Sequence, residues 1–230
     1  MDNINSNWKQ FTELCKLAFE KLFAKDGRSA IVFSTRDCKD DLKTFALKCG
    51  ILTEKKSKSV SFNSHHLSFQ HKTFQEFLAS VHLSLHDDLL ATDIEPRYYN
   101  ESNLNQYFEA SKELERIFVF MCALDGNTAE KMSEYLNKLD KNDTCMLISK
   151  GFREALYAGN TSIELACPCK IEIVNPCGTD IQAYIRWIKK NQRNIRYIKL
   201  TKHKQNMDFL IRLLQNFPQL AKIHFLLTLT

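Results

Sequence analysis

Glycine and proline are scarce, 6 and 4 of 230 residues, and 44% of the chain is hydrophobic, a composition that excludes both a disordered and a collagen-like protein. Long apolar runs are missing too. The longest, Ile117 to Leu124, has eight residues, far short of the roughly 20 that cross a bilayer, so no contact with a membrane is expected. The first residues, Met1-Asp2-Asn3-Ile4-Asn5-Ser6-Asn7, are polar and acidic where a secretory leader is basic and then apolar, which points to a cytoplasmic location. Catalytic signatures are absent: the sequence has no G-x-x-x-x-G-K-[ST], G-x-G-x-x-G, H-E-x-x-H or G-x-S-x-G pattern and no set of calcium-loop carboxylates. Nothing orders its 7 histidines and 8 cysteines into a nucleophile and base, so a self-contained enzyme is not expected.

The cysteines (15, 38, 49, 122, 145, 167, 169 and 177) lie mostly in apolar helical stretches of a chain without a leader, and are read as reduced core thiols. Cys167-Pro168-Cys169 with Cys177 lacks the paired spacing of a zinc site and has no histidine close by, so no metal site is assigned. Charge is unevenly placed. Between Asp180 and Asp208 stand eight basic residues, Arg186, Lys189, Lys190, Arg193, Arg196, Lys199, Lys202 and Lys204, and no acidic one. The remainder, with 24 basic and 27 acidic residues, is net negative, so the formal +5 resides in this stripe. Such a stripe either attracts phosphates or an acidic partner, or is a solvated face.

Periodicity supplies the organisation. Trp8, Phe11, Leu14, Cys15, Ala18, Phe19, Leu22 and Phe23 recur at three- and four-residue steps, predicting an amphipathic helix that stops near Gly27. A β-like run, Ala30 to Phe33, precedes a second helix capped at Ser34 or Thr35 and ended by Gly50. Ile51-Leu52-Thr53, a polar turn from Glu54 to Ser59, and Val60 to Gln70 read as a β-hairpin with an irregular second arm. A helix from about His71 then buries Phe74, Phe77, Leu78, Val81 and Leu85 on one face. Helix, helix, hairpin and closing helix form the plan of a winged-helix domain, assigned to 7–85. A loop follows over Asp87 to Ser102, then three helices over about Leu104–Leu124, Thr128–Leu139 and Thr144–Ala158, making a helical domain over 100–160.

Residues 161–230 change character. Ile171-Glu172-Ile173, Ile198-Lys199-Leu200 and Ile223-His224-Phe225 are short alternating strands whose first residues lie 27 and 25 apart, separated by helical stripes at Ile181–Ile188 and Met207–Leu214. That period suits leucine-rich-repeat-like units, with Tyr197, Lys199, Lys222 and His224 on the concave side. The array is incomplete at Thr230. The fold class expected is therefore α+β, mainly helical: a winged-helix domain, a helical domain, then a short α/β solenoid.

The sharpest signal is Phe69-Gln70-His71-Lys72-Thr73-Phe74-Gln75-Glu76-Phe77-Leu78-Ala79. It resembles the end of the winged-helix domain in NOD-like receptors, the NACHT family of signal-transduction NTPases, where F-x-H-x-[ST]-F-Q-E-[FY]-x-A recurs. Phe69, His71, Thr73, Phe74, Gln75, Glu76, Phe77 and Ala79 meet every fixed position. The family continues into a second helical domain and leucine-rich repeats, the order expected above. The resemblance implies that His71 reaches the β-phosphate of ADP held in a preceding NACHT nucleotide-binding domain, locking a closed form, with Phe74, Phe77 and Leu78 holding the helix against its core. A helix start suits that role, because its dipole and free amides favour an anion. The nucleotide domain is not within these 230 residues. The chain alone is accordingly expected to hold no cofactor, with ADP or ATP belonging to the longer receptor. The resemblance further implies self-oligomerisation on activation and a protein or microbial ligand at the repeats. His65 and His66 are placed on an exposed hairpin, and His82 and His86 receive no role. The alternative function is a winged-helix nucleic-acid-binding protein using the 186–204 stripe. Against it, Asp37, Asp40 and Asp41 on the second helix oppose a polyanion, and nucleic acid is not the expected partner.

Overall fold

The computed structural model describes residues 2–24, 30–58, 63–95, 104–139, 144–166, 170–174, 178–195, 197–201, 211–212, 215 and 224–228. The chain divides into two compact units, Met1–Asp87 and Asp88–Thr230. It is α+β and mainly helical, with one three-stranded sheet in each unit.

Unit one opens with α1 (Asp2–Leu22), six residues ahead of the predicted start. Its first residues are polar, so they carry no apolar stripe from which the helix start could be read. The stripe Leu14, Cys15, Ala18, Phe19 and Leu22 is buried as its spacing demands, and α1 packs along α3 (Lys72–Leu85). Between them lie β1 (Val32–Ser34), α2 (Asp40–Lys48), β2 (Leu52–Lys58) and β3 (Asn63–Phe69). The antiparallel sheet runs β1-β3-β2. Phe33, Leu52, Leu67 and Phe69 from the sheet meet Leu42 and Ala46 from α2, Leu14 and Ala18 from α1 and Leu78 from α3 in one core. Each large apolar side chain buried there contributes about 1.5–3 kcal/mol.

Three expectations change in this unit. The second helix does not begin at Ser34. The Ser34 hydroxyl accepts from the Arg36 amide at 3.3 Å and caps a separate 3-10 turn, Thr35–Asp37, after which Cys38 and Lys39 are extended. Asp40 and Asp41 therefore stand in the first turn of α2, where their charge offsets the helix dipole, and the Asp41 carboxylate accepts from the Leu42 amide at 2.8 Å. The second difference concerns the hairpin. Glu54 to Lys58 continue β2 instead of turning, in register with Asn63 to Leu67, and residues 59–62 lie outside the described residues. A run of polar residues such as Glu54 to Lys58 carries no apolar alternation to read. The third is the face of α3, taken up below.

Unit two begins where a loop is expected, but Leu90–Ile94 form a short π-helical turn with Leu90 and Ile94 buried. Then α4 (Leu104–Leu124), α5 (Gly126–Leu139) and α6 (Thr144–Tyr157) pack together, α4 chiefly along α6. The Asp125 carboxylate caps α5 by accepting from the Asn127 and Thr128 amides at 3.2 and 3.3 Å. The close approach of α4 and α6 depends on Gly151, where an added Cβ would lie 2.5 Å from Phe118 Cε1 and 2.7 Å from Cys122 Sγ.

β4 (Lys170–Val174), α7 (Gly178–Asn191), β5 (Tyr197–Thr201) and β6 (His224–Thr228) follow, with the strands parallel in the order β4-β5-β6. Ile171 pairs with Ile198 and Ile198 with Phe225, so both steps are 27 residues. The expected second step of 25 is corrected by two, a shift that preserves which side chains share a face. Ile171, Ile173 and Ile198 are buried, as the alternation predicts. The helical stripe at Met207–Leu214 lies mostly outside the described residues, as do Lys222 and the Cys167, Cys169 and Cys177 group.

Residues 161–166 connect the helices to this sheet and are held by side chains on both sides. Glu130 and Ser133 of α5 accept from the Glu164 and Ala166 amides at 2.8 and 2.7 Å. From α7, the Trp187 and Asn191 side chains donate to the Leu165 carbonyl at 2.8 and 3.3 Å. Phe152 of α6 stacks on Trp187, centroids 4.3 Å apart. Among the described residues no helix is long and apolar enough to cross a membrane.

Candidate functional site

The start of α3 carries the motif, and the helix divides it into a buried and an exposed part. Gln75 is fully buried, and Glu76, Leu78 and Ala79 are buried with it, whereas Phe74 is 46% exposed and Leu85 is 47% exposed. The face predicted from apolar spacing is therefore rotated. Phe77 and Val81 are half-buried against the core, and the centre of the interface is taken by Gln75, Leu78, Ala79, His82 and Leu83. Polar groups reach this face because they have partners there. The Gln75 side-chain amide donates to the Ala30 carbonyl at 3.2 Å, tying the helix start to the strand that enters the sheet. Its Oε1 is buried and accepts no hydrogen bond among the described residues. Of the three residues expected to hold the helix, Leu78 does so fully, Phe77 in part, and Phe74 points to solvent.

His71 is the N-cap residue, with an extended backbone at φ −139° and ψ 142°. Its carbonyl accepts from the Phe74 and Gln75 amides at 3.1 and 3.4 Å, so the backbone does the capping. The imidazole makes no capping hydrogen bond and is exposed, its ring 5.9 Å from that of Phe74. No acidic residue lies in the first turn of α3, and Lys72 adds a positive charge beside His71. An imidazole N–H free of the cap, over a helix start without a carboxylate, is able to donate to an anionic oxygen.

The other histidines separate. His65 is exposed, with Nδ1 3.2 Å from Glu54 Oε1, while His66 is half-buried. Lys43 of α2 donates to the same Glu54 oxygen at 2.7 Å. The Lys43 hydrogen bond, seconded by His65, holds the Glu54 carboxyl below its ordinary 4.5. His82, given no role by the sequence, is buried between Phe19 of α1 and His86, with centroids 5.3 and 4.7 Å away. Periodicity counts apolar residues and has no means of finding it.

The basic stripe is partly engaged. Lys190 pairs with Glu164, and the Arg186 guanidinium donates to the Thr161 carbonyl at 3.0 Å. Lys189 and Arg193 are exposed, and the side chains of Arg196, Lys199, Lys202 and Lys204 are outside the described set. Burial pushes the Cys15 thiol up to about 12 and raises Cys38 and Cys122 as well, suppressing the thiolates that react with electrophiles. Cys49, expected inside, is exposed at the end of α2. Among the described residues no group of three or more histidine, cysteine or acidic side chains is placed to hold a metal ion. No protein-family model matches the chain, and no curated protein matches it.

Proposed function

We propose that this chain is a non-enzymatic regulatory and interaction region of a cytoplasmic NOD-like receptor. The first unit is read as the winged-helix module, the helices α4 to α6 as the second helical domain, and β4 to β6 as the opening leucine-rich-repeat units. The observation that carries the reading is the division of the 69–79 motif on α3. Gln75 and Glu76 are buried in the unit's own packing, while His71 and Phe74 are exposed at the helix start. A motif that served packing alone would have no reason to keep a histidine at its uncovered end. The equal 27-residue steps of the parallel ladder support the repeat assignment.

In this reading His71 donates a hydrogen bond to a phosphate of ADP bound in a NACHT domain of the longer receptor. Loss of that contact on exchange for ATP frees the arrangement that oligomerises, with a protein or microbial ligand engaged by the repeats. ADP is the ligand when the nucleotide domain is present, and the chain's own contribution is the imidazole and the positive helix start. The test compares the pure 230-residue chain with one extended upstream through the gene. The extended form alone is expected to retain ADP through gel filtration, and the short chain is expected to release no phosphate from ATP. Hydrolysis by the pure short chain, or no nucleotide retained by either, overturns the proposal.

A further inference from the structure

Two histidines close α3. His82 stands in its last turn, and His86 is the C-cap residue, its amide donating to the Leu83 carbonyl at 3.2 Å. A spacing of four sets both imidazoles on one side of the helix, with ring centroids 4.7 Å apart and 55° between the planes. His82 is buried, the Phe19 ring of α1 lying 5.3 Å away, whereas His86 is exposed. The pair therefore runs from the α1–α3 interface out to solvent. His65 and His66 differ: as neighbours on β3 they project to opposite faces of the strand, so they cannot share a ligand.

The surrounding charge suits a cation. From Thr73 to Pro96 the sequence has no lysine or arginine but contains the acids Glu76, Asp87, Asp88, Asp93 and Glu95. The end of a helix adds its own partial negative charge. The ring separation is also that of two imidazoles on one metal ion. With N–Zn bonds of about 2.0–2.1 Å and each ring nitrogen about 1.2 Å from its centroid, the centroids lie about 4.5–5.3 Å apart for N–Zn–N angles between about 90° and 110°. Each imidazole has two ring nitrogens, so His82 can keep a hydrogen bond through one and ligate through the other, the usual arrangement of a metal-bound histidine.

We propose that His82 and His86 form a bidentate site for Zn²⁺ at the end of α3, with water in the remaining positions. No third histidine, cysteine or carboxylate is placed with them among the described residues, so the site is open and differs from the closed four-ligand sites of structural zinc. The ion ties the exposed cap residue to the ring packed on α1, and binding to the folded unit stabilises it. The inference is independent of the nucleotide-switch reading, because neither histidine belongs to the 69–79 motif.

The experiment titrates the full chain with zinc chloride at about pH 7.5 against a chromogenic zinc chelator, where imidazoles compete little with protons for the metal. His86→Asn carries the test, because its side chain is exposed, and circular dichroism verifies that the variant folds. Loss of an outer-shell partner alone weakens metal sites about 10–100-fold, so removing one of two ligands is expected to weaken one zinc equivalent at least about tenfold. His82→Asn is expected to lose the same equivalent. A control with His65→Asn and His66→Asn together is expected to bind within about twofold of the parent. The cysteines are common to all four proteins, so zinc held by thiols cancels in the difference. Three results overturn the proposal: no zinc taken up by the parent at about 0.1 mM free metal, equal uptake by the parent and His86→Asn, or loss in the control and not in His86→Asn.

Discussion

Gln75 and Phe74 are adjacent in the chain and have opposite surroundings. Replacing the buried Gln75→Ala removes its hydrogen bond to Ala30 and leaves that carbonyl and a small void, which is expected to cost about 1–3 kcal/mol. Phe74→Ala removes an exposed ring and is expected to stay within about 0.5 kcal/mol of the parent. Urea midpoints distinguish them, and an equal or larger loss for Phe74 contradicts the rotated face. Glu54 gives a pH dependence of definite sign. Its folded pKa lies below its ordinary 4.5, so the folded state binds fewer protons near that pH. Its stabilising contribution is present above about pH 4.5 and is lost as pH falls through the depressed value. Glu54→Gln is therefore expected to be less stable than the parent at pH 6 and to converge with it towards pH 3, read from urea midpoints at each pH. A gap that widens on acidification contradicts the assigned pairing with Lys43.

At the scale of elements, Gly151 makes the most specific prediction. Alanine normally favours a helix over glycine by about 1 kcal/mol. Here the added methyl meets the Phe118 ring and the Cys122 sulfur well inside van der Waals contact, so Gly151→Ala is expected to destabilise unit two by about 1–3 kcal/mol. A stabilised variant in thermal or urea unfolding contradicts the close packing of α4 on α6. Most elements were legible where the sequence carries stop signals or a core stripe: Gly50 ends α2 at φ 68°, and Asp125 caps α5. The length of β2 was not legible, because Lys55 to Lys58 are all polar and carry no apolar alternation. The face of α3 was misread for a related reason, since Gln75, Glu76 and His82 are polar and buried, and apolar spacing alone assigns the interface to Phe74 and Leu85 instead. The parallel sheet followed from three alternating strands at a repeating period, while its register depended on backbone pairing that spacing fixes only to within two residues.

For the whole molecule, the order of a small α+β unit, three packed helices and a parallel β-ladder agrees with what periodicity and one motif suggested. His71 was legible only through that motif. A lone histidine before a helix carries no distinguishing periodicity, and its exposure and freedom from the cap emerge only from the folded backbone. The central claim is that this imidazole donates to a nucleotide phosphate when a NACHT domain is present. The most direct test is the dissociation rate of ADP from the chain extended upstream through its gene, with His71 intact and with His71→Ala. A hydrogen bond to a charged group is worth about 1.5–3 kcal/mol, so release is expected to accelerate about tenfold or more. An unchanged rate in a folded variant contradicts the account.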